Sequence, residues 1–227
     1  MGAYWMPRAL FYFFIMLAWQ RRCVQSLRHG VSITQRAGVP GLCLNRGNRQ
    51  CAARSSSSSL GSNGCSCPPV VDFRREVLCK SDEEIEALGA KLSQISTNGD
   101  VLLLRGDLGA GKTTLARGLI RHKFDDSKMR VTSPSYLLDN TYEYAEDALI
   151  HHMDLYRLPT GCDLTMLGIP AIFSTSLCLI EWPQRLGDNL PADYLDVDMS
   201  IRADEVRSVV LTPASVRWRD KLLELFP

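Results

Sequence analysis

Acidic residues and lysine are missing from the first third of this chain. Residues 1–71 contain no Asp, Glu or Lys, yet they hold eight arginines (Arg8, Arg21, Arg22, Arg28, Arg36, Arg46, Arg49 and Arg54). Over all 227 residues the net charge is only +1, so residues 72–227, with 25 acidic against 18 basic side chains, stand near −7. That acid excess speaks against a broad phosphate-binding face of the kind that grips nucleic acid. Long apolar runs are also scarce. The longest, ALFYFFIMLAW at 9–19, is shorter than the roughly 18 residues a helix needs to cross a bilayer. Cysteine is thin after residue 71, where only Cys79, Cys162 and Cys178 remain, an odd number without metal-ligand spacing. That excludes a disulfide framework and favours incidental thiols in a reducing compartment. The guanine-reading NKxD pattern is absent, which speaks against an ordinary GTPase, and so is an LSGGQ-like segment of transporter ATPases.

What the first 70 residues do contain, Arg and Ser in RHGVSITQRAGVPGLCLNRGNRQCAARSSSSSLGSNG, matches an organelle transit peptide rather than a folded domain. A secretory signal or membrane anchor built on residues 9–19 is the alternative, though only Arg8 precedes that run and QRRC follows it. Cys65-Ser-Cys67 is weak evidence for a metal site. The expected organisation is a targeting prefix over 1–70, a Pro68-Pro69 linker, and one domain over 71–227.

Within that domain, RREVLC (74–79) reads as a strand and SDEEIEALGAKLSQI (81–95) as a helix. Ser81 followed by Glu84 forms a capping-box pattern, and Ile85, Leu88, Leu92 and Ile95 recur on one helical face. VLLLR (101–105) is a continuous apolar run suited to a strand covered on both faces. Further strands are expected in RVTS (130–133), SYLLDNTYEY (135–144), ALIHHMDLYRL (148–158), SLCLIEW (176–182), YLDVDMSIR (194–202) and VRSVVLTP (206–213). Helices are expected at about 112–122, at 163–173 and in the tail ASVRWRDKLLELF. The pattern predicts an α/β P-loop NTPase fold: a mostly parallel central sheet with helices on both faces and some antiparallel strands.

Between VLLLR and TLARGLI stands GDLGAGKTT (106–114), which satisfies G-x-x-x-x-G-K-[ST] through Gly106, Gly111, Lys112 and Thr113. Glycines let the backbone curl so that successive N–H groups converge on phosphate oxygens. The phosphate-binding residues are therefore Gly106, Asp107, Leu108, Gly109, Ala110, Gly111, Lys112, Thr113 and Thr114. Lys112 places a point charge on the β and γ phosphates, and Thr113 offers its hydroxyl to Mg²⁺.

A carboxylate at a neighbouring strand end is then required to hold Mg²⁺ or its water, and Glu181 and Asp154 are the candidates. Glu181 is the better placed, at the end of SLCLI. Ser133 and Ser135, around Pro134, sit where many loop NTPases keep a hydroxyl that senses the γ phosphate. His151 and His152, adjacent on a strand, point to opposite faces, which argues against a shared metal. Trp182 is expected in the core, with stacking on a base as the alternative.

Taken together, LRGDLGAGKTTLARGLI, TSPSYLLDNTY, IHHMDLYRL with MLGI after it, and CLIEWPQRL resemble the TsaE (YjeE-type) ATPases over about 74–213. The resemblance implies a small ATPase, slow by itself, that uses ATP and Mg²⁺. Its family role is to assist a transferase complex, with TsaD-like and TsaB-like subunits, in placing threonylcarbamoyl on adenosine 37 of tRNAs reading ANN codons. It assigns the phosphate contact to Lys112, Mg²⁺ to Thr113 and Glu181, a catalytic or metal-associated carboxylate to Asp154, and a mobile γ-phosphate segment to Ser133 and Ser135. Contact with tRNA is expected to run through partners.

This chain departs from the family in three ways. SPS replaces SPT, the acidic pair after DLYRL is reduced to Cys162-Asp163, and the Arg-rich prefix points to a eukaryotic copy serving a plastid or mitochondrion. Two other readings compete. One is a small-molecule kinase, for which the central segment offers only Arg157 and Arg185 as lid arginines. The other is a non-catalytic membrane-associated adaptor built on residues 9–19.

Overall fold

A computed structural model of the chain describes residues 73–227. The expected targeting prefix over 1–70, with residues 9–19, the Cys65-Ser-Cys67 pair and the Pro68-Pro69 linker, lies outside the described residues.

Strand β1 (Arg75–Cys79) leads into helix α1 (Asp82–Ile95). Ser81 caps that helix by accepting the Glu84 N–H at 3.3 Å. The returning arm of the box goes one residue further back, to the Lys80 N–H at 2.7 Å. Strand β2 (Val101–Gly106) delivers the glycine loop to α2 (Lys112–Lys123). There follow β3 (Asp139–Ala145), β4 (Ala148–Asp154), β5 (Leu177–Glu181), β6 (Leu195–Ile201), β7 (Arg207–Pro213) and α3 (Val216–Leu225).

The seven strands form one sheet in the order β1-β7-β6-β2-β5-β4-β3. Its central four, β6-β2-β5-β4, run parallel, and antiparallel pairing adds β7 and β1 at one edge and β3 at the other. This is the mixed α/β sheet expected from the sequence. The register aligns Leu102 with Leu179 and Leu195, and Leu104 with Glu181 and Val197. It therefore sets the C-terminal ends of β2, β4 and β5 side by side.

Helix cover is distributed unevenly. Leu88 and Leu92 of α1, Leu115 and Leu119 of α2, and Trp218 and Leu222 of α3 all enter one core with Leu102, Leu104, Leu179 and Val197. Fully burying each such side chain contributes about 1.5–3 kcal/mol. The alternate residues Leu103, Cys178 and Ile180 face the other way, as strand geometry requires. On that face the Cys178 Sγ–H approaches the Ile172 carbonyl at 3.9 Å. The helix expected at 163–173, which would have covered this second face, is absent as such. Two short 3-10 turns, Thr165–Leu167 and Ala171–Ser174, replace it. Gly168 stands between them at φ +75° and Pro170 has no N–H to donate, so an α-helix cannot run through.

RVTS and SYLL are likewise not strands. The Leu138 N–H donates to Pro134 O at 2.7 Å, closing a turn, and Leu138 takes φ +66°, so extended backbone begins only at Asp139. Cys178 is a buried thiol pushed up to about 12, first by burial and then by Asp139, which disfavours the nucleophilic thiolate at neutral pH. At the end of the sheet away from the glycine loop, buried Asp100 accepts from Lys221 at 2.5 Å and pairs with Arg217 at 2.5 Å, fastening α3 to the start of β2. Among the described residues no helix is long and apolar enough to cross a membrane.

Candidate nucleotide-binding site

Residues Gly106–Thr114 leave the end of β2, curl, and enter α2. Gly106, Gly109 and Gly111 take φ of +127°, +80° and +105°. At Gly106 the requirement is double. A Cβ there would lie 2.2 Å from Met199 O of β6, so neither the backbone angle nor the space admits a side chain. Asp107, Leu108 and Gly109 form the exposed tip, and Ala110 is buried behind them, its N–H donating to Asp107 O at 3.2 Å. Gly111 is the N-cap of α2 without a side-chain cap, and no acidic residue lies in the first turn. The first N–H groups and the positive helix end therefore face the loop interior, an arrangement that receives an anion.

Lys112 lies across this cradle. Its Nζ donates to Gly106 O at 2.8 Å and Asp107 O at 2.7 Å and sits 4.5 Å from the Trp182 ring. Burial holds the ammonium below its ordinary pKa, while Glu181, Asp154 and Asp107 pull in the opposite direction. A cation already partly desolvated and held against the loop is one that could take a phosphate with little further loss of water.

The two candidate carboxylates meet because β4 and β5 are parallel neighbours with Asp154 opposite Glu181. Both are buried. Glu181 Oε1 accepts from Thr113 Oγ1 at 2.7 Å. Asp154 Oδ2 accepts from Ser135 Oγ at 2.8 Å, and Ser135 in turn contacts Ser133 Oγ at 2.6 Å. Asp154 Oδ1 accepts the Tyr156 N–H at 3.0 Å. Lys112, Thr113, Ser133, Ser135, Asp154 and Glu181, spread over 70 positions of sequence, thus stand at one sheet edge beside the loop.

One hydroxyl and one carboxylate in contact, next to a phosphate cradle, form the oxygen donor set with which Mg²⁺ is bound jointly by protein and phosphates. Thr114 is partly buried on the first turn of α2.

Trp182 differs from its core expectation. It takes φ +58°, is only partly buried, and packs against Tyr156 with ring centroids 4.7 Å apart. His151 and His152 do face opposite ways. His151 Nδ1 pairs with Asp139 at 2.7 Å, whereas His152 Nε2 lies 3.0 Å from Glu181 Oε1. Sequence reasoning missed this last contact. The available signal was His152 two residues before Asp154, and hence on the same strand face.

A family model described as threonylcarbamoyl adenosine biosynthesis protein TsaE matches residues 79–209, more than half of the chain. The chain belongs to the TsaE family. Among its relatives named tRNA threonylcarbamoyladenosine biosynthesis protein TsaE, that of Rickettsia felis is 32% identical over 131 residues, covering 58% of this chain and 75% of the relative. The Streptomyces coelicolor protein is 35% identical over 137 residues, covering 58% and 91%. The crystal structure of Bacillus subtilis YdiB superposes with a TM-score of 0.56 at 25% identity, over 67% of this chain and 94% of that one. The matched stretch of this TsaE-family chain runs from the end of β1 into β7 and so contains every residue of the site, in a family of P-loop NTPases.

Proposed function

We propose that this TsaE-family chain binds and slowly hydrolyses ATP, with Mg²⁺, as an accessory of threonylcarbamoyl transfer to adenosine 37 of tRNAs reading ANN codons. The observation that carries the reading is the Thr113–Glu181 contact at the mouth of the Gly106–Thr114 loop, with Asp154 opposite Glu181 in register.

In this reading the loop N–H groups and Lys112 hold the phosphates, and Thr113 and Glu181 hold the cation. Bound Mg²⁺ neutralises charge on the phosphate oxygens and orients them. Asp154, fixed by Ser135 and the Tyr156 N–H, is the carboxylate left to orient the attacking water and accept its proton. Ser135 and Ser133 link Asp154 to the turn at 133–138, which is exposed at Ser133, Tyr136 and Leu137, and in this reading that turn responds to the γ-phosphate position. The partners are the TsaD-like and TsaB-like subunits of the transferase complex, and the acid excess of residues 72–227 favours tRNA contact through them.

The experiment is steady-state ATP hydrolysis with Mg²⁺, alone and with those subunits. We expect slow turnover that the subunits raise, and turnover abolished by Glu181→Ala in a chain that still folds. Undiminished hydrolysis in that variant, or indifference to the subunits, overturns the reading.

The Arg-rich, acid-free residues 1–70 support import into a plastid or mitochondrion. N-terminal sequencing of the protein recovered from purified organelles is expected to begin well after Met1; a chain starting at Met1 in a membrane fraction contradicts it.

A further inference from the structure

His152 is fully buried on β4, and its Nε2 lies 3.0 Å from Glu181 Oε1, its one hydrogen-bond partner among the described residues. Its other ring nitrogen, Nδ1, is buried with no hydrogen-bond partner among the described residues. A histidine kept only to fill space would carry the cost of that orphaned nitrogen for nothing, since an apolar side chain of similar volume avoids it. We propose that His152 is the positioning residue for Glu181, and that through it His152 sets the affinity of the site for the divalent cation rather than for the nucleotide. This rests on the reading of Thr113 and Glu181 as the pair that holds the cation.

The direction of the hydrogen bond follows from the chemistry of the three groups. A carboxylate oxygen only accepts, and Glu181 Oε1 already accepts the Thr113 hydroxyl at 2.7 Å. The His152 ring therefore carries its proton on Nε2 and donates it. Both bonds fall on Oε1, so together they fix the rotation of the carboxylate while engaging neither lone pair of Oε2.

A hydroxyl can give a lone pair to a cation while its hydrogen still donates to Oε1, so the Thr113 bond and the His152 bond are compatible with cation binding. His152 is the donor of the two that is not itself assigned to the cation, and it orients the carboxylate from within the sheet. Asp154 has separate fasteners, Ser135 Oγ and the Tyr156 N–H, so loss of the imidazole leaves it in place. Among the described residues the phosphate cradle makes no hydrogen bond with His152, which confines the effect to the cation.

The test uses the full chain and three proteins: unmodified, His152→Leu and His152→Gln. Binding of a fluorescent ATP analogue is titrated in EDTA and then across Mg²⁺ concentrations. His152→Leu is expected to keep its EDTA affinity within about twofold and to raise the Mg²⁺ concentration needed for half-maximal response about tenfold to a hundredfold, as loss of an orienting partner does at metal sites. His152→Gln, whose amide reaches the same position as a donor, should recover most of that loss.

An unshifted Mg²⁺ midpoint in His152→Leu overturns the proposal. So does an equal shift in both variants accompanied by weakened EDTA binding, which would mark a packing defect. If His152→Leu does not fold, the nitrogen-15 imidazole spectrum of the unmodified chain decides: a proton on Nε2 is expected, and a proton on Nδ1 with bare Nε2 overturns it. Nucleotide binding by the unmodified chain that ignores Mg²⁺ removes the underlying metal reading as well, whereas Mg²⁺-dependent binding left intact by His152→Leu removes only the role of His152.

Discussion

Lys112→Ala is expected to lower ATP turnover about 10³-fold, the scale of losing a preorganised charge at a reacting phosphate, while the thermal melting point moves by no more than a few degrees. The ammonium stabilises little in the resting fold. Its contacts are two loop carbonyls, which water can reach once the side chain is gone, and the face of Trp182. Burial lowers its pKa, the sign of a charged form that gains less from its surroundings than it loses in hydration.

In the transition state of the proposed hydrolysis the balance would reverse, because charge would develop on oxygens facing the desolvated cation. Lys112→Arg should not rescue activity: a planar fork cannot fill the place of a point charge lying between Gly106 O and Asp107 O. Single-turnover measurement with saturating ATP separates loss of chemistry from loss of binding. Lys112→Ala retaining more than a tenth of the normal rate would contradict the assignment of the loop.

Gly118→Ala should destabilise the fold by about 3 kcal/mol, even though alanine is the better helix former by about 1 kcal/mol. A Cβ at Gly118 would lie 2.1 Å from Glu86 O, and one at Gly89 2.2 Å from Leu115 O. Both obstacles are backbone atoms. Helices α1 and α2 therefore touch main chain to main chain through these two glycines, and Glu86 clasps Arg117 and Arg121 beside the crossing at 3.3 and 3.0 Å.

Relief requires the helices to move apart, and α2 carries the phosphate loop at its start. The urea midpoint should fall, and ATP affinity should fall with it. A variant as stable as the parent, or more stable, would mean that the helices do not approach as described.

Much of the fold was legible because it is written in short-range spacing. The Ser81 cap, the 85-88-92 stripe and the apolar run of β2 each declare an element within about ten residues, and each formed where expected. The failures share a cause. RVTS and the stretch 163–173 carry apolar and β-branched residues, but Pro134, Gly168 and Pro170 interrupt the backbone hydrogen bonding that the side-chain pattern invites. In the site, Lys112 and Thr113 could be read from the loop alone. The expectation for Trp182 missed because adjacency to a buried strand implied burial, whereas its positive φ turns the ring out beneath Lys112.

The sequence alone determined that this chain has a phosphate loop, and that Glu181 and Asp154 close strands near it. These follow from residue types whose conformational and charge requirements are local. Only the tertiary structure decided that Glu181 meets Thr113 across 68 positions, that His152 stands behind Glu181, and that Gly89 and Gly118 must be glycine. Those facts depend on strand order, register and the distance between two helices. They are properties of packed surfaces that no stretch of sequence carries by itself.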